Sequence, residues 1–200
     1  MSETRIPKQK TAVDKRNRII EKGFELMCEK GYHNVSTPDI AKASNVSTGI
    51  IYQYFNDKKE IFIEGVKNYS ESILFPMLSI LEHVNNTTDI NIYLDEIIDS
   101  FISSHTISKK AHEELIAMSH IDEDISEIFN ESEMRMTENI ASLLKKNGIQ
   151  LSNSLEKIHI IYGILDNYCH EVVYHKHNKI DYNVMKNEVK SIIMNIIKES

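Results

Sequence analysis

The chain has 200 residues, enough for one medium domain or a small head on a larger body, and 41% of them are hydrophobic. Three prolines and six glycines, beside abundant Ile, Leu and Met, point to a mostly helical protein. The net charge of −7 is uneven: 11 Lys and Arg face 8 Asp and Glu in residues 1–60, and 12 face 22 beyond, so only the N-terminal end suits an anionic partner. Residues 1–13 are polar, carry Arg5, Lys8 and Lys10, and lack any apolar period, which reads as a flexible arm able to lie along phosphates. A helix is expected from about Asp14 to Lys30, with Ile20, Phe24 and Met27 on one stripe, Ile19 and Leu26 beside it, and Gly31 as its C-cap. Arg16 and Arg18 near its start are candidates for the backbone of a nucleic acid.

The stretch from Ser36 to Lys58, STPDIAKASNVSTGIIYQYFNDK, reads as two short helices around a tight turn. Ser36 or Thr37 caps the first helix, Pro38 lies in its first turn, and Ile40 and Ala41 supply an inward apolar face. Asn45 stands where a left-handed residue is needed, and Ser47 caps a second helix expected to reach Phe55. Ile51 and Phe55, four apart, face inward with Val46, while Thr48, Gly49, Tyr52, Gln53 and Tyr54 point elsewhere. Such a pair, whose second helix offers small, amide and phenol groups, is a helix-turn-helix unit for the DNA major groove.

The run I-A-x-x-x-x-V-S-x-G-x-x-Y-x-Y-F-x-x-K, carried by Ile40, Ala41, Val46, Ser47, Gly49, Tyr52, Tyr54, Phe55 and Lys58, resembles the DNA-binding signature of TetR-family regulators. The resemblance covers roughly residues 14 to 62. Asn45 replaces the family's usual turn glycine, and Thr48 stands where a lysine is common. The recognition helix STGIIYQYF holds no Lys or Arg, so a bidentate Arg–guanine contact cannot come from it. Readout then falls to Thr48, to Gln53, which suits adenine, and to close approach at Gly49; Ile50 or Tyr52 can pack on a thymine methyl. An A·T-rich operator is expected. The resemblance implies phosphate contacts from Tyr54 and Lys58, and Ser36, Thr37 and Ser47 add hydroxyls near helix N-termini.

Beyond Lys58 the period stays helical for about 25 residues, with a kink or break expected near 72 to 76 because Pro76 cannot donate to the helix ladder. NNTTD (residues 85–89) reads as a loop. Helices follow at about 90–105, 108–120, 122–146 (ended by Asn147–Gly148), 153–176 and 181–198, making nine in all. The fold expected is therefore all-α, in a nine-helix TetR-like arrangement. Residues 14–62 would form the DNA-binding head and 63–200 a ligand-binding and dimerisation domain.

The last two helices carry wide apolar arcs: Ile158, Ile161, Leu165, Cys169 and Val172 on one, and Met185, Val189, Ile192 and Ile196 on the other, flanked by Ile193 and Ile197. An arc too wide for one buried face implies two partners. The resemblance implies the same, since family members dimerise through a four-helix bundle of these helices; Ile161, Leu165, Val189, Ile192 and Ile196 are the interface residues expected. The middle helices mix soft apolar side chains with a few polar tips, among them Tyr93, His105, His120, Met134, Met136 and Tyr168, a composition suited to a small-molecule site. Phe101, Met118, Phe129 and Tyr162 are the expected pocket residues.

His170–Glu171–Val172–Val173–Tyr174–His175 resembles the H-E-x-x-H zinc motif with one residue too many, which swings the second imidazole off the first one's helix face. Asp166 and His170 do share a face and can share a ligand or a hydrogen bond. No phosphate loop, nucleophile elbow or CxxC occurs, so no catalytic residue, cofactor or metal is assigned. Cys28 and Cys169 read as reduced, buried thiols. No apolar run approaches the roughly 20 residues that span a bilayer, and the N-terminus lacks a signal peptide's apolar centre, so the cytoplasm is the expected location. These features describe a dimeric, ligand-responsive regulator, most simply a repressor released from a palindromic operator by an apolar or amphipathic effector. The alternative is a helical small-molecule or metal-binding protein whose DNA role is vestigial.

Overall fold

The computed structural model describes residues 10–107 and 109–198, and among them every regular element is helical. Nine α-helices follow one another: α1 (Lys10–Lys30), α2 (Thr37–Ala43), α3 (Thr48–Ile51), α4 (Lys58–Leu81), α5 (Thr87–Ile107), α6 (Lys109–Ser119), α7 (Glu123–Lys146), α8 (Ser154–Val173) and α9 (Tyr182–Lys198). A 3-10 turn, Tyr32–Asn34, lies between α1 and α2. The arm expected over residues 1–13 falls outside the described residues up to position 9, and residues 10–13 are already helical, so α1 starts a turn earlier than expected.

Helix ends follow local chemistry. Gly31 (φ 87°) and Gly148 (φ 83°) take the left-handed conformation just past α1 and α7, where a Cβ would be strained. α4 runs unbroken through Pro76, so the expected break does not occur. α5 begins at Thr87, inside the stretch expected to be a loop, and α8 stops at Val173, three residues early.

The chain forms two compact units. The first comprises the described residues up to Ser70 together with Lys110–Asn130; the second comprises Glu71–Lys109 and the described residues from Glu131 onward. Hence α6 and the start of α7 join the head instead of the body, which the boundary expected at residue 62 does not allow for. The first unit is packed around Ile19, Ile20 and Met27 of α1, Ile40 of α2, Phe62 of α4 and Leu115 of α6, all buried. Phe62 meets Phe24 and Tyr32 with ring centroids 5.3 and 5.2 Å apart. Polar ties pin the later segments: the Tyr32 backbone N–H donates to Glu114 at 2.5 Å, and Lys59 pairs with Asp122 at 2.7 Å. In the second unit, α5 packs on α8 and α9. Leu94, Ile98, Leu165, Cys169 and Ile193 are buried there, and the Asn147 amide donates to the carbonyls of Leu81 (3.0 Å) and Val84 (2.8 Å). No helix among the described residues is long and apolar enough to cross a membrane.

Candidate nucleic-acid interface

The two short helices of the head are fixed from both ends. Ser36 and Asp39 form a reciprocal capping box: the Asp39 N–H donates to Ser36 Oγ at 3.4 Å, and the Ser36 N–H donates to the Asp39 carboxylate at 2.9 Å. The Ser36 hydroxyl also donates to that carboxylate, and these bonds hold the Asp39 carboxyl below its ordinary range. At the turn, Asn45 adopts φ 52° as expected, and the Val46 N–H closes on the Ala41 carbonyl at 3.0 Å.

α3 is shorter than expected. Regular helix ends at Ile51, and tighter turns carry the chain onward through Tyr54 N–H to Ile51 O and Phe55 N–H to Ile51 O, both 2.9 Å. Ser47 occupies the N-cap position without a side-chain cap bond. The inward side is as expected, with Ile51 and Phe55 buried and Val46 half-buried. The outward side gathers exposed Gly49 and Gln53, half-buried Thr48, Ile50 and Tyr54, and Tyr52 at 55% exposure. A Cβ placed on Gly49 would meet only the Ser47 hydroxyl at 3.9 Å, so the surface there is open to close approach.

Two of the cations expected at phosphates are engaged within the head. The Lys58 ammonium donates to the carbonyls of Tyr32 (2.6 Å) and Val35 (2.8 Å) and lies 4.4 Å from the centre of the Tyr32 ring. Burial lowers its pKa. The Tyr32 carbonyl also accepts the Val35 N–H of the 3-10 turn at 3.5 Å, and the ammonium bridges both carbonyls at once. Arg16 is likewise engaged, bonded to Glu64 at 2.8 Å and set 5.0 Å over the Phe55 ring. Burial pushes the Glu64 carboxyl up, but its bonds to Arg16 and Lys67 outweigh this and hold it below its usual range. Ser36 is committed to its cap. Arg18 and Lys42 are exposed on α1 and α2; Lys42 was not singled out in the sequence because nothing distinguishes it from any solvated lysine.

The second unit contains a cavity of about 50 Å³ lined by aliphatic side chains such as Leu81, Leu94, Ile140 and Ile161, together with Tyr162. Of the four pocket residues expected, only Tyr162 lines it. Phe101 packs edge-on against Tyr162, centroids 5.8 Å apart, from outside the cavity. Met118 and Phe129 belong to the first unit.

The expected interface residues divide in the same way. Ile161, Leu165 and Val189 are buried within the single chain and have little area left for a partner. Ile192 is 45% exposed and Ile196 half-buried; Leu155, Ile160 and Val184 are exposed too, none of them named from sequence. The apolar arcs are as wide as expected, but their inner half is the chain's own core. Asp166 and His170 do face each other, Oδ2 to Nε2 at 3.6 Å, whereas His175 lies beyond the end of α8. Both cysteines are free thiols; burial pushes Cys28 up to about 12 and Cys169 up as well.

Residues 19–64 match the family described as bacterial regulatory proteins, tetR family. The HTH-type transcriptional regulator HbdR of Aromatoleum sp. (strain CIB) is 41% identical over 59 residues, 30% of this chain and 26% of that protein. The biofilm operon icaADBC HTH-type negative transcriptional regulator IcaR of Staphylococcus aureus (strain Newman) is 36% identical over 52 residues, 26% of this chain and 28% of IcaR. The chain thus matches about a quarter of the length of these curated relatives. Across the fold, a TetR-family transcriptional regulator from Syntrophomonas wolfei superposes with a TM-score of 0.69 at 22% identity, covering 92% of this chain and 95% of the other. The head, over residues 19–64, thus matches the tetR family of bacterial regulatory proteins, and the chain as a whole shares its fold with the Syntrophomonas wolfei structure.

Proposed function

We propose that the protein is a DNA-binding transcriptional repressor, acting as a homodimer and released from its operator by a small apolar or amphipathic effector. The observation that carries this reading is the outward face of Thr48, Gly49, Tyr52 and Gln53, held rigidly from behind by buried Ile51 and Phe55. Gln53 can bond an adenine edge in two places, Thr48 can reach either kind of base, and the open backbone at Gly49 lets the helix sit deep in the major groove. With Lys58 and Arg16 engaged inside the head, backbone anchoring falls to Tyr54, Thr37, Ser47 and the exposed cations Arg18 and Lys42.

Dimerisation is assigned to α8 and α9, through the apolar residues they leave exposed: Leu155, Ile160, Val184 and Ile192, with Ile196 half-covered. Gly163 on α8 has open space around its missing Cβ, so another helix can approach there. A dimer places its two recognition helices about 34 Å apart on successive turns of a palindromic site. The effector site is assigned to the cavity beside Tyr162. Its volume of about 50 Å³ is far below the ~300–1,000 Å³ of a ligand pocket, so an effector must push the lining helices apart. α4 is continuous from Lys58 to Leu81, and such a displacement can be passed along it to the head. IcaR, which matches the head, is named as a negative regulator, and repression is the sign adopted here.

Selecting binding sites from random duplex DNA with the purified protein, then screening amphipathic compounds for release from the selected site, tests the proposal. A palindromic A·T-rich site and release by at least one class of compound are expected. A protein that enriches no sequence overturns the DNA-binding reading, and an operator that no compound releases overturns the effector reading.

A further inference from the structure

The second unit contains a polar cluster that DNA recognition leaves unused. His105, in the last turn of α5, is only 1% exposed, and it meets Asp166 and His170, which stand one turn apart on α8. His105 Nδ1 lies 2.9 Å from the Phe101 carbonyl oxygen. A carbonyl only accepts, so Nδ1 carries the hydrogen of that bond. The other ring nitrogen, Nε2, faces Asp166 Oδ1 at 3.2 Å. In a neutral ring with Nδ1 protonated, Nε2 presents a lone pair, and a lone pair against a carboxylate oxygen is repulsive unless a cation lies between them. His170 approaches the same carboxylate from the other side, with Nε2 3.6 Å from Oδ2 and its ring 69° to that of His105, centroids 5.7 Å apart. Each of the three residues offers a ligand atom within 4.8 Å of the others'.

These spacings suit a particular kind of cation. A tetrahedral ion with bonds of about 2.0–2.1 Å holds neighbouring ligand atoms roughly 3.3–3.4 Å apart. His105 Nε2 lies 3.2 Å from Oδ1 and His170 Nε2 3.6 Å from Oδ2 of the one Asp166 carboxylate, each close to that edge length, so the carboxylate can face both imidazoles across one ion. We propose that His105 Nε2, His170 Nε2 and the Asp166 carboxylate form a binding site for one divalent transition-metal ion, joining α5 to α8. The Phe101 carbonyl acts as the outer partner that fixes the His105 tautomer and aims Nε2 inward. Two imidazoles and one carboxylate favour zinc, cobalt or nickel over magnesium and calcium, which prefer all-oxygen shells, and over cuprous copper, which prefers sulfur. The sequence pointed only to Asp166 and His170; His105 lies 61 residues before Asp166 and enters through the packing of α5 on α8.

The test uses the full chain, stripped with a chelator, with zinc and cobalt ions added alone and no DNA present, so its outcome is separate from that of the repressor reading. One ion per chain by calorimetry, a rise in Tm with metal, and the visible absorption of tetrahedral cobalt are expected. Asp166→Asn and His170→Gln should each weaken binding by more than the roughly 10–100-fold that outer-shell changes cost. A double change of exposed His175→Gln and His177→Gln should leave it intact. If the folded wild-type protein binds neither ion, the cation between His105 and Asp166 is a proton and the proposal fails. It also fails if Asp166→Asn and His170→Gln both bind zinc as tightly as wild type. Should either variant not fold, wild-type stoichiometry and the cobalt spectrum decide the matter.

Discussion

Replacing Lys58 with Met separates a structural lysine from a DNA-binding one. The family signature places a cation at this position, and its assignment to phosphate predicts that removal weakens binding to every sequence and lowers the salt slope by about 1 per subunit. In the structure the ammonium instead donates to the carbonyls of Tyr32 and Val35 at 2.6 and 2.8 Å and sits over the Tyr32 ring. A hydrogen bond to a charged group is worth about 1.5–3 kcal/mol when well buried. Lys58 is only half-buried, so water takes over part of each bond in the variant. Two bonds at the lower end, plus about 0.5–1 kcal/mol from the ring contact and less the water compensation, give a loss of roughly 2–3 kcal/mol. Met keeps the aliphatic stem, so the loss reports the ammonium. Urea unfolding measures the stability, and operator titrations at several salt concentrations, run well below the variant's Tm, measure the slope. The expected outcome is a destabilised head with an unchanged slope. A slope lower by one per subunit with stability intact would refute the clamp.

Gly65→Ala should cost about 1–3 kcal/mol in thermal unfolding, since the new methyl would overlap the Phe24 ring, whereas Gly49→Ala should leave Tm unchanged and weaken operator binding. Ile192→Asp and Val184→Asp should convert the dimer to folded monomer in sedimentation, because both side chains are exposed in the single chain; a dimer of unchanged affinity would put the interface elsewhere. Stability should fall as pH drops from about 5 towards 3, the range between unfolded carboxylate pKa values and the depressed folded ones. Asp39 bonded to Ser36, Asp95 to Lys190 and Asp122 to Lys59 all lie below their ordinary values, so their contribution is present above the unfolded pKa and is lost as they protonate. Urea midpoints across that range check it, and a flat profile would contradict the assignment.

What could be read from sequence was what is local. Ser36 or Thr37 announces a helix cap, Asn45 a left-handed turn, and Ile51 with Phe55 one helical face; all three occur, with Ser36 as the cap and Asp39 returning its bond. Helical period gave the number of helices, because Gly31 and Gly148 interrupt it where the chain turns. Period does not say which half of an apolar arc meets the chain's own core, so Ile161, Leu165 and Val189 were assigned to a partner although the single chain buries them. Nor does it show acceptors on the backbone. Lys58 is held by two carbonyls more than 20 residues away, and no side-chain pattern records that. The division of the body was hidden for the same reason: α6 joins the first unit through contacts such as Tyr32 to Glu114, 82 residues apart.

The central claim, that α3 and the turn after it read DNA sequence, is tested most directly by a single-base scan of the selected operator against wild-type protein and Gln53→Ala. Gln53 is exposed, so its removal should leave the head folded. The prediction is that discrimination disappears at one base pair in each half-site, an A·T pair, with a loss of about 1–3 kcal/mol there and little change elsewhere. Unchanged discrimination at every position, or a uniform loss across all of them, would contradict it.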